Sequence, residues 1–346
     1  MTLRHRLWGM LCAGLVAGDA EAVLPAGGPG TWPLSYLHTA GAAADPATRL
    51  GWGLGLVSLG VIAVITVLLA WGIWHRRRVV QDARALAVDR DAGGMPWIYT
   101  GVGISTVVLL ACVVWTLFTI AAVAMPSRTP DLTIEVQANQ WWWSLRYANR
   151  DSSRIFTTAN EIHVPVGQVV RLELTSHDVI HSFWIPKLGG KMDVIPGQTN
   201  VTWLEADQPG VYLGQCGEYC GAQHAHMALS VVAQSPQDYA AWVDAQLRPA
   251  GEPSAPDARH GHEVFEGRCA ACHAVRGGGA GGILGPDLTH VASRGTIAAG
   301  LLTTTPEHLS TWILDAQALK PGTRMPSIDL SPDDLRAAVA YLETLK

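Results

Sequence analysis

One segment of the chain concentrates the residue types that bind soft metal ions. It runs from Cys216 to Met227 (CGEYCGAQHAHM), and His181 lies in a separate segment upstream. Thiolate, imidazole and thioether groups suit copper, and a single loop can wrap them around a metal. A closed tetrahedral zinc site would need only four ligands and no methionine. The segment therefore predicts a copper site.

A disulfide between Cys216 and Cys220 is the alternative for the same segment. An exported domain would permit such a bond. It would leave His181, His224 and Met227 without a role, so the residue types favour copper over the disulfide.

A second segment predicts a covalently bound haem. In Cys269-Ala-Ala-Cys272-His273 two thiols can add to the vinyl groups of a haem, while the next residue supplies an axial imidazole. A thioredoxin-like redox pair would need a βαβ context, which this helical segment lacks. The spacing therefore favours c-type haem attachment.

The composition indicates a membrane protein with several domains. The 346 residues are 49% hydrophobic and only 15% charged, against roughly 25% charged in an average soluble protein. The net charge of -5 offers no broad basic surface, so we expect no nucleic-acid partner.

The first third of the chain predicts a signal peptide and a membrane hairpin. Residues 1–22 place arginines before an apolar run that ends in an Ala-x-Ala pattern. A transmembrane hairpin follows over residues 45–125, with uncharged spans at about 51–74 and 96–125. Arginines cluster between the spans, and basic loops stay in the cytoplasm. We therefore expect a multi-pass cell-membrane protein with both termini and both redox domains on the periplasmic or extracellular side.

Two further domains follow the hairpin. Apolar and polar residues alternate after residue 131, which predicts β-structure over 127–235. Residues 249–257 (PAGEPSAPD) are proline-rich and predict a linker. Residues 259–346 have helical spacing over 262–274, 306–318 and 332–345, with Thr305 and Ser331 as expected N-caps.

These motifs together resemble subunit II of the haem-copper cytochrome c oxidases, in the fused form called caa3-type that adds a cytochrome c domain. The resemblance implies a multidomain membrane protein: a two-helix transmembrane hairpin, a cupredoxin-like β-sandwich and an all-α class I cytochrome c domain. It also implies that Cys216 and Cys220 bridge a dinuclear copper centre, copper A (CuA).

The resemblance assigns the remaining copper ligands and one further metal. His181 and His224 would be the terminal imidazoles, and Met227 and the backbone carbonyl of Glu218 the weak outer ligands. The carboxylate of Glu218 would help to bind magnesium or manganese at the boundary with subunit I. Asp178 matches an acidic residue of the family and is expected to orient a ligand or steer a donor.

The resemblance also covers the haem and the aromatic block. Met325 would be the second axial haem ligand, and the carbonyl of Pro286 would accept the proton of His273. Trp141 would admit electrons. For Trp142 and Trp143 we expect hydrophobic anchors near the membrane interface.

The function implied is that of the electron-accepting subunit of a terminal oxidase. Electrons would pass from cytochrome c or another donor through haem c and copper A to subunit I, where oxygen is reduced to water with proton pumping. Subunit III and the membrane are further expected partners. The copper-centre subunit of a nitric oxide reductase is the alternative. Because both redox domains carry little net charge, we expect the linker, rather than charge attraction, to keep them together.

Overall fold

The computed structural model of the protein describes residues 34–76, 94–126 and 128–346. The predicted signal peptide, residues 1–22, lies outside the described residues. So does the arginine-containing segment 77–93, on which the predicted orientation in the membrane depends.

Two long apolar helices form the first part of the described chain. Helix α1 (Asp45–Arg76) and helix α2 (Met95–Ala124) contain most of the predicted spans, and both are long and apolar enough to cross a membrane. They cross where the ring of Trp115 lies directly over Gly53, a position with no room for a side chain. Nearly all their other side chains are exposed in the single chain, as expected for helices whose surroundings are lipid or another subunit.

The hairpin is fixed to the domain that follows it at two points. Ahead of α1, the Ala40 N–H donates to the carbonyl of Lys187 at 2.8 Å. Near the end of α2, the indole N–H of Trp203 donates to the carbonyl of Val123 at 2.9 Å. The β-domain is therefore held close to one end of the helix pair.

The segment after α2 folds into a β-sandwich. Its strands are β1 (Leu132–Asn139), β2 (Trp142–Ala148), β3 (Phe156–Ala159), β4 (Glu161–Pro165), β5 (Val170–Ser176), β6 (His181–Phe183), β7 (Met192–Val194), β8 (Asn200–Leu204), β9 (Gly210–Gln215) and β10 (Ala228–Gln234). One sheet has five strands in the order β3-β2-β1-β5-β8, and the other has three in the order β4-β10-β9. Strands β6 and β7 form a separate two-stranded ladder, and His181 is the first residue of β6.

The predicted alternation holds in β1 and β5 but not in β4. In β1 the side chains of Ile134, Val136 and Ala138 are fully buried, while their neighbours are not. All of β4 is buried. Its polar residues Glu161 and His163 are covered because helix α3 (Pro236–Leu247) and the C-terminal domain pack over that face.

The C-terminal domain is helical. It contains α4 (Pro256–Arg268), α5 (Pro306–Leu314), the short α6 (Ala316–Leu319) and α7 (Pro332–Leu342), with a small ladder of β11 (Thr296–Ile297) and β12 (Leu302–Thr303). Helices α4 and α7 cross at Gly261, whose Cα faces the backbone of Ala337 with no space for a Cβ. The two-helix hairpin, the β-sandwich and this helical domain confirm the predicted fold class. Below, we call the sandwich the copper domain and the C-terminal domain the cytochrome domain, after the predictions made for them.

The helix ends agree only partly with the sequence pattern. Thr305 and Ser331 are N-caps, accepting the N–H groups of His308 and Asp334. Helix α4, in contrast, was expected over 262–274 but begins at Pro256 and ends at Arg268. A proline is favourable in the first turn of a helix, so α4 takes over the end of the predicted linker and leaves the Cys269–His273 motif in a turn.

Candidate metal centres

The two cysteines of the first motif meet at the edge of the sandwich. Cys216 follows the end of β9 and Cys220 lies in the next loop, and both are buried and free. Their sulfur atoms are 3.8 Å apart. The hydrogen bond between them lowers the pKa of Cys216 and raises that of Cys220, so the pair favours one thiolate before any metal binds. A thiolate is the metal-binding form, and no disulfide joins the pair.

Four further groups converge on these sulfurs. Cys216 Sγ lies 3.8 Å from His181 Nδ1 and 3.3 Å from the carbonyl oxygen of Glu218. Cys220 Sγ lies 3.6 Å from His224 Nδ1 and 3.9 Å from Met227 Sδ. Every copper ligand expected from the sequence is thus brought to one place. The soft donor set fits copper.

Asp178 orients the imidazole of His181. Its Oδ1 accepts from His181 Nε2 at 2.8 Å, which leaves Nδ1 directed at Cys216. The Gln140 N–H donates to the other carboxylate oxygen at 2.7 Å. Burial opposes ionisation of Asp178, but these hydrogen bonds prevail and its pKa lies below the ordinary value. Such a partner fixes the tautomer and the ring orientation of a metal-binding histidine.

The carboxylate of Glu218 lies near a lysine at the surface. The side chain is 45% exposed, and its Oε2 lies 3.7 Å from the amine of Lys191. The carboxylate is therefore available at the surface.

Trp141 connects the copper loop with the cytochrome domain. It is 6% exposed, and its indole N–H donates to the carbonyl of Cys220 at 2.9 Å. The side-chain amide of Gln140 donates to the same oxygen at 2.8 Å. On the other side, Gly322 of the cytochrome domain approaches the Trp141 ring.

The expectation that Trp143 anchors the protein at the membrane is wrong. Its side chain is fully buried in the sandwich, with its ring centroid 6.1 Å from that of His181 and 5.9 Å from that of Phe183. Strand β2 alternates, so Trp143 faces inward whereas Trp142 is only half-buried. Three consecutive tryptophans show no apolar–polar contrast, so the sequence does not reveal which of them faces inward.

The haem motif occupies a turn after α4. The imidazole of His273 donates Nδ1–H to the carbonyl of Pro286 at 2.8 Å, as expected, which leaves Nε2 free for iron. Gly285 lies so close to this ring that a Cβ there would be 2.6 Å from His273 Cε1. Burial lowers the pKa of His273 and favours its neutral, metal-binding form. Burial also raises the pKa of Cys269 to about 11. The residues fit a c-type haem.

Met325 lies in a loop over residues 320–326, which we call the methionine loop. The side-chain amide of Gln317 donates to the carbonyls of Thr323 and Met325, both at 2.7 Å. The backbone of Met325 is therefore held by Gln317, whereas Cys272 and His273 are held by their N–H groups donating to the carbonyl of Cys269.

The methionine loop lies against the copper domain through contacts that the sequence analysis missed. Lys320 donates to the carbonyl of Trp141 at 2.8 Å, and Gln223 donates to the carbonyl of Pro321 at 2.9 Å. Arg324 lies 3.6 Å from Asp178. No local sequence pattern marks these residues, because these partners lie in the other domain, 98 to 179 positions away.

A second set of contacts joins the domains at β4. Glu161 accepts from His163 at 2.9 Å and from the Gly295 N–H at 3.0 Å. Nearby, the Ala228 N–H donates to the carbonyl of Ala299 at 3.1 Å. The linker is thus supplemented by direct hydrogen bonds between the two domains.

Comparison with known protein families gives two matches along the chain. The family "Cytochrome C oxidase subunit II, periplasmic domain" matches residues 148–234, and the family "Cytochrome c" matches residues 258–346. The first match contains all the copper donors, and the second contains the haem motif and Met325.

Two relatives align with most of this chain. Cytochrome c oxidase subunit 2 of Alkalihalophilus pseudofirmus is 39% identical over 302 residues, covering 85% of this chain and 84% of the relative. The subunit of Bacillus sp. strain PS3 is 32% identical over 289 residues, covering 78% and 80%. Among solved structures, the periplasmic domain of subunit II of cytochrome oxidase (CoxB) of Bradyrhizobium japonicum is 35% identical and covers 34% of this chain and 95% of that one, with a TM-score of 0.32. The family match and the two relatives do not favour the nitric oxide reductase alternative.

Proposed function

We propose, for a chain that belongs to the cytochrome c oxidase subunit II family, a role as the path by which electrons reach a terminal haem-copper oxidase. The chain is one subunit of an oxidoreductase. Electrons would pass from cytochrome c or another donor to the cytochrome domain, then to the copper domain, and then to subunit I. Oxygen reduction to water and proton pumping belong to that subunit.

The residues proposed to hold copper A are those that converge at the sandwich edge: Cys216, Cys220, His181, His224, Met227 and the carbonyl of Glu218. The residues proposed to hold haem c are Cys269, Cys272, His273 and Met325, with Pro286 orienting His273. When bound, each group supplies reversible one-electron redox chemistry. The protein contributes position, burial and fixed hydrogen bonds.

The observation that carries the proposal is the contact between the methionine loop and Trp141. The loop holds a proposed haem ligand, and the Trp141 indole is hydrogen-bonded to the carbonyl of Cys220, a proposed copper ligand. A packed and hydrogen-bonded path therefore joins the two sets of ligands within one chain. Electron transfer between the domains needs no encounter between separate molecules.

The copper domain is built to change little during electron transfer. His181 is held by Asp178, and the rings of Trp143 and Phe183 pack in the core behind it. Side chains held by packing and hydrogen bonds need little rearrangement when the charge of the site changes. This rigidity supports a role in rapid transfer rather than in copper delivery.

The remaining expectations form part of the same proposal. Two apolar helices and the matches to periplasmic-domain relatives support a membrane protein with its C-terminal domains exposed. We assign it to the cell membrane, with both termini on the periplasmic or extracellular side. Subunits I and III would cover the exposed helices. The exposed carboxylate of Glu218 would contribute to a magnesium or manganese site at the boundary with subunit I.

The proposal is tested by replacing Trp141 in the purified oxidase complex. In Trp141→Phe the indole N–H to Cys220 is lost, and we expect the haem-to-copper rate after photoreduction of the haem to fall by about tenfold or more. Trp142→Phe is the matched control, because Trp142 is a half-buried neighbour that faces the other side of β2. Equal rates in Trp141→Phe and in the unsubstituted complex would contradict the path through Trp141.

A further inference from the structure

Lys320 is a lysine of the cytochrome domain whose side chain is buried against the copper domain. It is 2% exposed. Its amine donates to the carbonyl of Trp141 at 2.8 Å and to the carbonyl of Ala298 at 3.0 Å. In the part of the chain that the structure describes, its hydrogen-bond partners are carbonyls and not carboxylates. Burying an amine is costly unless it is hydrogen-bonded, so this side chain is committed to the two carbonyls.

The methionine loop that begins at Lys320 is internally rigid. The side-chain amide of Gln317 donates to the carbonyls of Thr323 and Met325, and its Oε1 accepts the Gly322 N–H at 3.0 Å. The Thr323 N–H donates to the carbonyl of Lys320 at 3.1 Å. A displacement of either end of the loop would therefore also move Met325.

The loop is held to the copper domain at points around the Trp141 ring. Lys320 fixes it to the Trp141 backbone, and Gln223 donates to the carbonyl of Pro321 at 2.9 Å. Gly322 lies over the indole, where even an added Cβ would be at van der Waals distance, 3.6 Å from the ring. The Lys320 contact is the one that reaches the main chain of Trp141 itself.

We propose that Lys320 is a positioning residue for electron transfer into the copper domain, holding the methionine loop against Trp141 through its hydrogen bond to the Trp141 carbonyl. This inference rests on the proposed function, because it takes Trp141 as the electron path and Met325 as a haem ligand. Its consequence is that the chain's own cytochrome domain covers Trp141. A soluble donor can then deliver electrons only to the cytochrome domain.

The test compares variants in the purified oxidase complex. Lys320→Met keeps much of the length and the apolar body of the side chain but removes its N–H donors. We expect unchanged copper and haem contents and spectra, unchanged reduction of the haem by an external donor, and a haem-to-copper rate lowered by about tenfold or more, since a displacement of about 1 Å can cost about 100-fold. Lys346→Met, an exposed lysine of the same domain, is the matched control.

A double-mutant cycle with Trp141→Phe separates positioning from general destabilisation. If Lys320 acts through Trp141, the double variant should be little slower than Trp141→Phe alone, because interacting residues are non-additive. Additive losses, or a loss of copper or haem from Lys320→Met, would overturn the inference. A normal rate in Lys320→Met together with a slow rate in Trp141→Phe would overturn only the positioning role of Lys320. Normal rates in both variants would also overturn the proposed path through Trp141.

Hydrogen exchange provides a readout besides electron transfer and needs no stable variant. In the unsubstituted complex, peptides covering residues 320–326 should exchange as slowly as those of the sandwich core, because the loop is held to it. Rapid exchange of these peptides would show a loop that leaves Trp141, and the positioning role would be wrong.

Discussion

The copper site and the haem site differ in how their residues are held. The copper donors contact one another inside the rim of the sandwich, with distances to the two sulfurs of 3.3 to 3.9 Å. The haem motif forms a turn in which the Cys272 and His273 N–H groups donate to the carbonyl of Cys269, both at 3.0 Å. Its His273 side chain contacts Pro286, while Met325 lies in a separate loop and contacts Gln317. In the sandwich, one loop that follows β9 contains most of the copper donors. In the helical domain, the haem motif and Met325 lie in separate turns between helices.

Because of this difference, we expect the two sites to respond differently to the loss of one residue. Removing one copper donor disturbs every other donor, because they share one cluster. Removing the proposed axial ligand Met325 should leave the proposed covalent attachment through Cys269 and Cys272 in place and should change the electronic properties of the iron.

The largest effect is expected for Cys216→Ser. A serine oxygen cannot bridge two copper ions as a thiolate does, so the dinuclear copper and its mixed-valence absorption should be lost, while the haem content stays normal. Metal analysis and visible spectra of the purified complex measure both. Cys112→Ser, in the membrane helix α2, is the control. Retention of the copper and its spectrum would refute the assignment of the copper ligands.

Met325→Leu should change the haem site without emptying it. Loss of the thioether should lower the haem potential, within the roughly 0.8 V range that axial ligands control. Redox titration followed by absorption measures this change, with copper content as the internal control. An unaltered potential and spectrum would mean that another residue is the sixth ligand.

Asp178→Asn should weaken the copper site by a smaller amount. The neutral amide is a weaker acceptor for His181 Nε2–H than a carboxylate, and its NH2 group cannot accept from the Gln140 N–H. Loss of such a partner typically lowers metal affinity by about 10- to 100-fold. Competition with a copper chelator measures the affinity. Asp193→Asn, at an exposed position in β7, is the control. Equal copper retention in both variants would show that His181 needs no carboxylate.

The smallest effect concerns pH and the interface between the sites. Burial lowers the pKa of Lys320 to about 7, against roughly 10.4 in the unfolded chain. Between these values the unfolded state binds more protons, so folding stability should rise with pH by up to about 1.4 kcal/mol per unit. Calorimetry of the purified complex should show this slope to be larger than in Lys320→Met. Parallel stability curves for the two proteins would place the amine in solvent.

The local motifs were predictable because their chemistry is encoded by spacing along the chain. Cys216 and Cys220 are four residues apart and are followed closely by His224 and Met227, so a single loop can bring all four to one metal site. The Cys269–His273 motif is contiguous. The strand alternation and the N-caps Thr305 and Ser331 were equally readable, because they depend on near neighbours.

Other features could not be read from local pattern. The inward orientation of Trp143 depends on the register of β2 within its sheet. The burial of Glu161 and His163 depends on a second domain lying over β4. Periodicity describes one element at a time and contains no information about what will cover its outer face.

The sequence by itself indicated a copper site, a c-type haem, the fold class and two helices that can cross a membrane, because these depend on residue types and on short-range spacing. Tertiary structure alone decided how the two redox domains meet. The contact between Lys320 and Trp141 joins residues 179 positions apart. Such a pairing depends on the summed packing of both domains, and no local pattern specifies that sum.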